Sequence, residues 1–253
     1  MNEAQRIRYS RQILLPSLGE QGQEHFIAAR VLVIGVGGLG SAVAMYLAAA
    51  GVGQLVLSDY DLVDLSNLQR QIIHRSVDVG RLKVDSARDT LLAINPEIQV
   101  TVIPRALDGL ELEEEIRHCN VVIDACDNFE TRFAINDASH RASVPVVSGA
   151  AMGMEGQVAV FPHYGNAPCY HCLYRNDGNP GETCSRLGVL APLVGIVGAV
   201  QATETLKLLA GIGEPLIGRL LLLDASTMEW RTLRLKRDPA CPTCGCQPGL
   251  TIT

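Results

Sequence analysis

Three glycines spaced as GxGxxG form the first candidate chemical site. Gly35, Gly37 and Gly40 follow the aliphatic run RVLVIG and open the helix-like stretch LGSAVAMYLAAA. In that context backbone N–H groups and the helix dipole face a bound anion. Asp59 lies about 20 residues farther on, where a carboxylate can accept hydrogen bonds from ribose hydroxyls. The pattern predicts a nucleotide site, and alone it favours NAD; the structural alternative is a glycine turn that only packs strand against helix.

A polar segment follows the second predicted strand. It reads DLVDLSNLQRQ, runs from Asp61 to Gln71, and concentrates the side chains of Ser66, Asn67, Gln69, Arg70 and Gln71. Lys83 comes next along the chain, and Asp127 and Asn128 follow another apolar strand, at the edge where ligands of open α/β sheets bind. Singly, a lysine or arginine is typical of a solvated surface and Asp127 of a strand end or helix cap. Their joint occurrence favours a functional site, and an oxidoreductase does not need the polar segment.

Two CxxC pairs could supply four thiolates to a tetrahedral zinc ion. They are Cys169 with Cys172 and Cys241 with Cys244, roughly 70 residues apart, far beyond the spacing of a compact zinc finger. Spacing alone leaves redox pairs or buried thiols as alternatives. His171 lies inside the first pair and is not expected to be a ligand.

The other cysteines have separate interpretations. Cys119 and Cys126 flank an apolar strand and are predicted to be core thiols. Cys246 makes the tail CPTCGC, so it competes with Cys244 as a candidate ligand. Cys184 ends the loop NDGNPGET, where exposure would allow it to react, and is either a nucleophile or an ordinary loop thiol.

The elements that must position these residues alternate in the βαβ rhythm of a parallel sheet. After short helices in residues 1–29, strands are predicted at Arg30–Gly35, Leu55–Asp59, Gln99–Ile103, Val121–Ala125 and Val144–Ser148. The intervening helices are predicted at Leu39–Ala50, Arg81–Ile94, Leu110–His118 and Asn128–Ala142. Beyond residue 150 the rhythm changes, and Gly156–Phe161, Arg219–Leu223 and Glu229–Leu235 are expected to extend the sheet with antiparallel strands. The predicted fold is a Rossmann-like α/β domain.

Composition bounds the function classes. The 253 residues are 47% hydrophobic and 19% charged, with a net charge of -6, which excludes a broad basic field for nucleic acid or anionic membranes. The polar N-terminus does not resemble a secretory signal. The apolar stretch Leu187–Thr203 falls short of a bilayer span and is predicted to be a buried helix. A cytosolic protein is expected.

These motifs together resemble the ThiF/MoeB/HesA family of adenylyltransferases, relatives of the ubiquitin-activating enzymes. The resemblance runs from RYSRQILLP at Arg8–Pro16 through GVGGLG and SNLQRQ to CPTCG at Cys241–Gly245. It implies one domain over residues 1–253, with an N-terminal helical segment (1–29), a nucleotide-binding part (30–150) and a carrier-binding and zinc part (151–253).

The resemblance also implies residue roles around ATP and magnesium. Asp127 matches the aspartate that holds magnesium, Asp59 the ribose ligand, and Arg11 an arginine that such homodimers extend into the partner subunit's ATP site. Both CxxC pairs fall at the positions of a structural zinc. The expected nucleotide ligands are Gly35, Gly37, Gly38, Gly40, Asp59, Asp61, Ser66, Asn67, Leu68, Gln69, Arg70, Lys83, Asp127 and Asn128, with Arg11, Arg70, Lys83 and Asp127 also assigned to catalysis.

The implied reaction is ATP-dependent adenylation of the C-terminal Gly-Gly of a ubiquitin-like sulfur-carrier protein, ahead of thiocarboxylate formation for molybdopterin or thiamin. Arginines, a lysine and a metal ion suit this reaction because its barrier lies in bringing two anions together. Because the chain stops soon after the second CxxC, a separate sulfur donor is expected, and a homodimer is expected from the role of Arg11. In the thiamin branch the cysteine matching Cys184 links covalently to the carrier, so that role depends on the branch.

Two other functions remain open on sequence alone. A nicotinamide-dependent oxidoreductase would share the glycine loop and Asp59, but it leaves Arg70, Lys83 and the CxxC pairs without a purpose. A noncatalytic scaffold, like the inactive subunits of heterodimeric relatives, would not need to retain Arg11, Arg70, Lys83 and Asp127 together.

Overall fold

The computed structural model describes residues 1–175 and 188–245. Helices in these ranges are α1 (Glu3–Arg8), α2 (Ser10–Ile13), α3 (Gly19–Ala28), α4 (Gly38–Ala50), α5 (Lys83–Ile94), α6 (Gly109–Arg117), α7 (Phe129–Ala142), α8 (Tyr170–Leu173) and α9 (Ala191–Ala210). Strands are β1 (Arg30–Ile34), β2 (Gln54–Ser58), β3 (Gln99–Ile103), β4 (Val121–Asp124), β5 (Val146–Met152), β6 (Glu155–Phe161), β7 (Arg219–Asp224) and β8 (Glu229–Arg234). Apart from shifted ends and helix α8, which was not predicted, these are the elements predicted from sequence.

The strands form one eight-stranded sheet in the order β3-β2-β1-β4-β5-β6-β7-β8. The first five strands in this order are parallel, and β6, β7 and β8 add antiparallel edges. The mixed Rossmann-like sheet is therefore confirmed. The chain order reverses between β1 and β4, and crevices beside such a switch point are where nucleotides bind in open α/β sheets.

The parallel strands are aliphatic throughout because both faces of the sheet are covered. Val31 and Val33 of β1 pack on one face with residues of α4, α5 and α9, whereas Leu32 and Ile34 pack on the other with residues of α6 and α7. This alternation decides which face of the sheet each side chain covers. Because β1, β2, β3 and β4 are parallel, the loops that follow them all leave the same carboxyl edge of the sheet.

Helix α9 is longer than its apolar run suggested. With 20 residues it is long and apolar enough to cross a membrane by length and composition, a test that core helices of soluble proteins also pass. Here it packs on the sheet, where Gln201 Nε2 donates to Asp124 O at 2.9 Å and Glu204 accepts from Leu216 N at 2.7 Å. Both polar side chains are buried. The structure confirms the predicted helix packed within the fold. The expectation that this helix is too short to span a bilayer was wrong, since it has 20 residues.

Candidate functional site

The glycine loop connects β1 to α4 and opens a cavity at the carboxyl edge of the sheet. Gly35 has φ of 91°, a conformation that only glycine adopts readily, and its N–H donates to Ser58 O. Gly37 is the N-cap of α4 and Gly38 its first residue, so the positive end of a 13-residue helix faces the cavity. Gly35, Gly37 and Gly38 all line the cavity. This is the anion-facing arrangement that the motif predicts.

Gly40 does something different from its neighbours. A Cβ on Gly40 would lie 2.0 Å from Gly35 O, so this glycine lets the helix approach the strand and does not line the cavity.

We expect Gly40→Ala to lower the free energy of unfolding by about 1–3 kcal/mol, as substitutions that overpack a site do. Chemical denaturation measures this loss; Gly195→Ala, where an added Cβ meets open space, is the control. Equal stability of the two variants would contradict the packing role.

Asp59 leaves the end of β2 and is tied to the glycine loop. Its Oδ2 accepts from Val36 N at 2.7 Å, and its Oδ1 accepts from Asp61 N at 2.9 Å. Burial raises the pKa of Asp59, while Lys83 and these two backbone donors act in the opposite direction. The carboxylate lies at the cavity wall, and its contact with a ribose stays a prediction.

Lys83 is a buried cation near Asp59 that pairs directly with Asp61. It begins α5, is 5% exposed, and donates from Nζ to Asp61 Oδ2 at 2.7 Å. Its backbone N–H also donates to Asp61 O, which holds the two residues together. Both line the cavity. A buried ammonium with a single half-exposed carboxylate partner is well placed to exchange that partner for a phosphate.

The polar segment after β2 divides into residues inside and outside the cavity. Arg70 and Gln71 line it, with Arg70 Nη1 donating to Ser66 O at 3.1 Å. The predicted nucleotide ligands Ser66, Asn67, Leu68 and Gln69 are not among the lining residues, and Ser66 Oγ bonds to Asp64 instead. Their contact with a nucleotide stays a prediction.

Gln71 was part of the polar run but was not assigned to the nucleotide from sequence. Its side chain is 4% exposed, its Oε1 has no hydrogen-bond partner in the described part of the chain, and its amide lies against Gly37. A buried amide oxygen without a partner at a cavity wall is costly unless a ligand or water satisfies it. In the sequence, the polar run NLQRQ was the feature that could have identified Gln71 as a site residue.

Other lining residues could have been found from topology. Arg105, Ala106 and Leu107 follow the carboxyl end of β3 and lie at the cavity wall, and Ser58 Oγ donates to Arg105 O at 3.0 Å. The rule that ligands bind beyond the carboxyl ends of parallel strands applies to β3 as it does to β1, β2 and β4. Nothing in the residue types of this segment singles it out.

Asp127 and Asn128 lie between two cavities. The carboxylate of Asp127 is exposed, and both residues line the nucleotide cavity and a second cavity beside it. Asn128, not Asp127, caps α7, since its side chain accepts from Thr131 N at 2.9 Å. Asp127 is therefore free of the capping role that its position in sequence also allowed.

A buried ion pair holds the turn that carries Asp127. Arg132 donates from Nη1 to Asp124 Oδ2 at 3.2 Å and from Nη2 to Gly149 O at 2.8 Å and to Cys126 O. Asp124 Oδ1 in turn accepts from Cys126 N, and both charged side chains are buried. Because breaking a buried pair leaves an uncompensated charge, this network fixes the backbone on both sides of Cys126.

The two cavities form a continuous path along the edge of the sheet. They adjoin and share Leu39, Cys126, Asp127, Asn128 and Ala151. The second is lined by Phe129, Tyr170 and Tyr174 and by strand residues of β5 and β6. Charged side chains therefore concentrate in the first cavity and aromatic side chains in the second.

Arg11 lies apart from both cavities. With Arg8 and Gln12 it lines a separate cleft formed by Tyr46 on α4 and Thr203 and Leu206 on α9. Within one chain it therefore does not reach the nucleotide loop, and its predicted role across a subunit interface is not tested by a single chain.

The four cysteines of the two CxxC pairs form one cluster. The Sγ atoms of Cys169, Cys172, Cys241 and Cys244 all lie within 4.8 Å of one another, with Cys169 and Cys241 3.5 Å apart and Cys172 and Cys244 3.4 Å apart. In a tetrahedral zinc site with Zn–S bonds of about 2.3 Å, sulfurs are about 3.8 Å apart, so four thiolates in this arrangement fit the metal. Asp238 N also donates to Cys172 Sγ at 3.4 Å.

The structure describes some of the remaining cysteines and His171, but not all of the cysteines. Cys119 and Cys126 are buried thiols, as predicted, and burial raises the pKa of both. His171 is not part of the sulfur cluster, and its Nδ1 lies 2.8 Å from Thr243 Oγ1 and 3.1 Å from Asn136 Nδ2. Cys184 and Cys246 lie outside the described residues.

Comparison with known proteins agrees with this geometry. A sequence model of the ThiF family matches residues 9–243. The molybdopterin-synthase adenylyltransferase of Escherichia coli K12 is 46% identical over 245 residues, covering 97% of this chain and 98% of the relative. The sulfur carrier protein ThiS adenylyltransferase of the same strain is 42% identical over 245 residues, covering 97% of each chain.

Solved structures give the same fold. The crystal structure of Escherichia coli MccB with MccA-N7isoASN superposes with a TM-score of 0.83 at 24% identity, covering 94% of this chain and 74% of that one. At this identity the likeness concerns the fold. Together with the family match and the full-length relatives, it shows that this chain belongs to the ThiF family.

Proposed function

We propose that this protein is an adenylyltransferase that uses MgATP to activate the C-terminal Gly-Gly of a small ubiquitin-like sulfur-carrier protein. One observation carries the proposal: a glycine loop, Arg70, Lys83 and Asp127 line one cavity, and Asp127 also lines a second, adjoining cavity. The relatives named as molybdopterin-synthase and sulfur-carrier adenylyltransferases support the same reaction.

ATP is expected to lie with its ribose at Asp59 and its phosphates between the start of α4 and the side chains of Arg70 and Lys83. Arg70 and Lys83 supply positive charge, and the N-terminus of α4 supplies N–H donors. Asp127 would hold the magnesium ion, which neutralises phosphate charge when bound. An oxidoreductase would need neither cation at this wall, so their position favours a nucleoside triphosphate over NAD.

The carrier tail is expected to enter through the second cavity. Glycine residues would run along the wall formed by Phe129 and Tyr174, whose rings pack edge to face with centroids 5.5 Å apart, and reach the shared wall at Asp127. The terminal carboxylate is already ionised, so no strong base is required. Its oxygen attacks the α-phosphorus, the bond from that phosphorus to the bridging oxygen breaks, and pyrophosphate leaves with the electron pair. The product is carrier acyl-AMP.

The reaction predicts a covalent product that mass spectrometry can detect. Purified protein, MgATP and a Gly-Gly carrier from the same organism should give carrier–AMP by intact mass, and a carrier lacking its last glycine should not react. Adenylation of the truncated carrier would contradict binding of the terminus at the shared wall. Hydride transfer from NADH to a substrate would favour the oxidoreductase instead.

Thiocarboxylate formation for molybdopterin or thiamin is proposed as the later purpose of the adenylate. A homodimer in which Arg11 completes the partner's site, and a cytoplasmic location, belong to the same proposal. If Cys184 forms a covalent link to the carrier, Cys184→Ala should lose that adduct. Full thiocarboxylation by Cys184→Ala would exclude the covalent role.

We further propose that the four-cysteine cluster holds a structural zinc ion that ties residues 238–245 to α8 and the sheet. Cys169→Ala should abolish zinc binding, measured by elemental analysis, and lower the melting temperature by about 10 °C. Loss of a structural metal ranks with changes of about 4 kcal/mol or more, each kcal/mol being worth about 2–4 °C in a chain of this size.

Cys119→Ala is the matched control, since Cys119 is a buried thiol outside the cluster. It should retain one zinc per chain. A Cys169→Ala variant that keeps its zinc would contradict the metal assignment.

A further inference from the structure

A buried histidine lies directly behind the glycine loop. His74, which follows the polar segment, is 5% exposed and does not line either cavity. Its Nε2 lies 3.1 Å from Val36 O and its Nδ1 lies 2.9 Å from Ser86 Oγ on α5. The ring therefore bridges the nucleotide loop and the helix that begins with Lys83.

These contacts determine the tautomer of the ring. A carbonyl oxygen can only accept a hydrogen bond, so Nε2 must carry the proton toward Val36 O. In the neutral ring Nδ1 is then an acceptor for the Ser86 hydroxyl proton, for which the Asp78 carboxylate competes. Burial lowers the pKa of His74, with Lys83 acting in the same direction, so the neutral ring is the form present near pH 7.

The bond from His74 completes the anchoring of Val36. The N–H of Val36 donates to Asp59 Oδ2 and its C=O accepts from His74, so two successive peptide groups are fixed. In a trans peptide the N–H points opposite to the C=O, so the bond to His74 directs the N–H of Gly37 away from the ring. Gly37 lines the cavity, whereas His74 does not.

We infer that His74 is a positioning residue for the nucleotide: its neutral Nε2–H imidazole, oriented by Ser86, holds the Val36 and Gly37 peptides and the Asp59 carboxylate in the geometry that receives ATP. It acts through the loop and touches no reacting atom. The inference rests on the proposed function, since it assigns a role at the same ATP site.

The test measures binding of MgATP by isothermal titration without carrier, together with KM for ATP and for carrier. His74→Ala should weaken ATP binding and raise KM for ATP by about 3- to 10-fold, the effect of losing one hydrogen bond. KM for carrier should not change. His74→Gln, whose amide N–H can donate to Val36 O, should recover part of the loss, and Ser86→Ala should shift KM for ATP in the same direction by a smaller factor.

His163→Gln is the matched control, because His163 is also buried but lies far along the chain beside His140 and lines neither cavity. It should leave ATP binding unchanged even where it lowers the melting temperature. If His74→Ala does not fold, Ser86→Ala carries the test.

Folded His74→Ala or Ser86→Ala variants with wild-type affinity for ATP would overturn the inference. An equal loss of affinity in His163→Gln would overturn it as well, by showing a general effect of destabilisation. Wild-type protein that binds no ATP would instead overturn the proposed function itself.

Discussion

Asp127→Ala is expected to lower carrier-dependent adenylation by about 100- to 1000-fold, the range found when one preorganised electrostatic group is removed from a transition state. Asp127 is the carboxylate shared by the nucleotide cavity and the peptide cavity, and Asn128 rather than Asp127 performs the helix cap. Its loss should therefore affect chemistry more than folding. Initial rates at saturating ATP and carrier, with the melting temperature measured alongside, separate the two effects.

The matched control for this change is Glu130→Ala. Glu130 is an exposed acid in the first turn of α7, the helix that follows Asp127, and it lines neither cavity. It should retain activity close to wild type. An Asp127→Ala protein as active as Glu130→Ala would contradict the assignment of Asp127 to the magnesium ion.

Lys83→Met is expected to reduce adenylation by a similar factor of about 100 and to raise KM for ATP. Methionine keeps most of the aliphatic volume of this buried side chain but removes the ammonium that pairs with Asp61 at 2.7 Å. The triphosphate then loses a cation, and Asp61 becomes a repulsive charge at the cavity wall. Steady-state kinetics with varied ATP measure both effects, and Lys83→Arg should be less impaired than Lys83→Met.

Lys207→Met provides the comparison for Lys83. Lys207 also pairs with an acid, its Nζ lying 2.5 Å from Glu204 Oε1, but it is on α9 away from the cavity. Its replacement should affect stability alone. Unchanged ATP kinetics in Lys83→Met would show that the lysine is structural, like Lys207.

The parallel half of the sheet was predictable because its strands are short aliphatic runs ending at glycine or polar residues. Strand β5 was predicted to end at Ser148, but it continues through Gly149 to Met152. The extension exists because β6 pairs with it from Val146 to Met152. Pairing between strands is a tertiary property, and the local pattern of Gly149–Met152 does not carry it.

The site was predictable where residue type and position in the fold agree. Glycines at a strand-to-helix turn, a carboxylate after β2 and Asp127 after β4 all lie at the expected wall. Gln71 and His74 were not assigned because their positions depend on burial and on tertiary contacts, whereas Arg105 could have been found from its place after β3. Gly40 fitted the motif but serves packing, since an added Cβ would meet Gly35 O.

ATP–pyrophosphate exchange by the wild-type protein, with and without Gly-Gly carriers from its own organism, detects carrier adenylation itself. Adenylation is reversible before the acyl-AMP is consumed, so labelled pyrophosphate should enter ATP only when protein, magnesium, ATP and an intact carrier are all present. We expect exchange that requires the carrier and is lost in Asp127→Ala. Absence of exchange with every Gly-Gly carrier of that organism would contradict it.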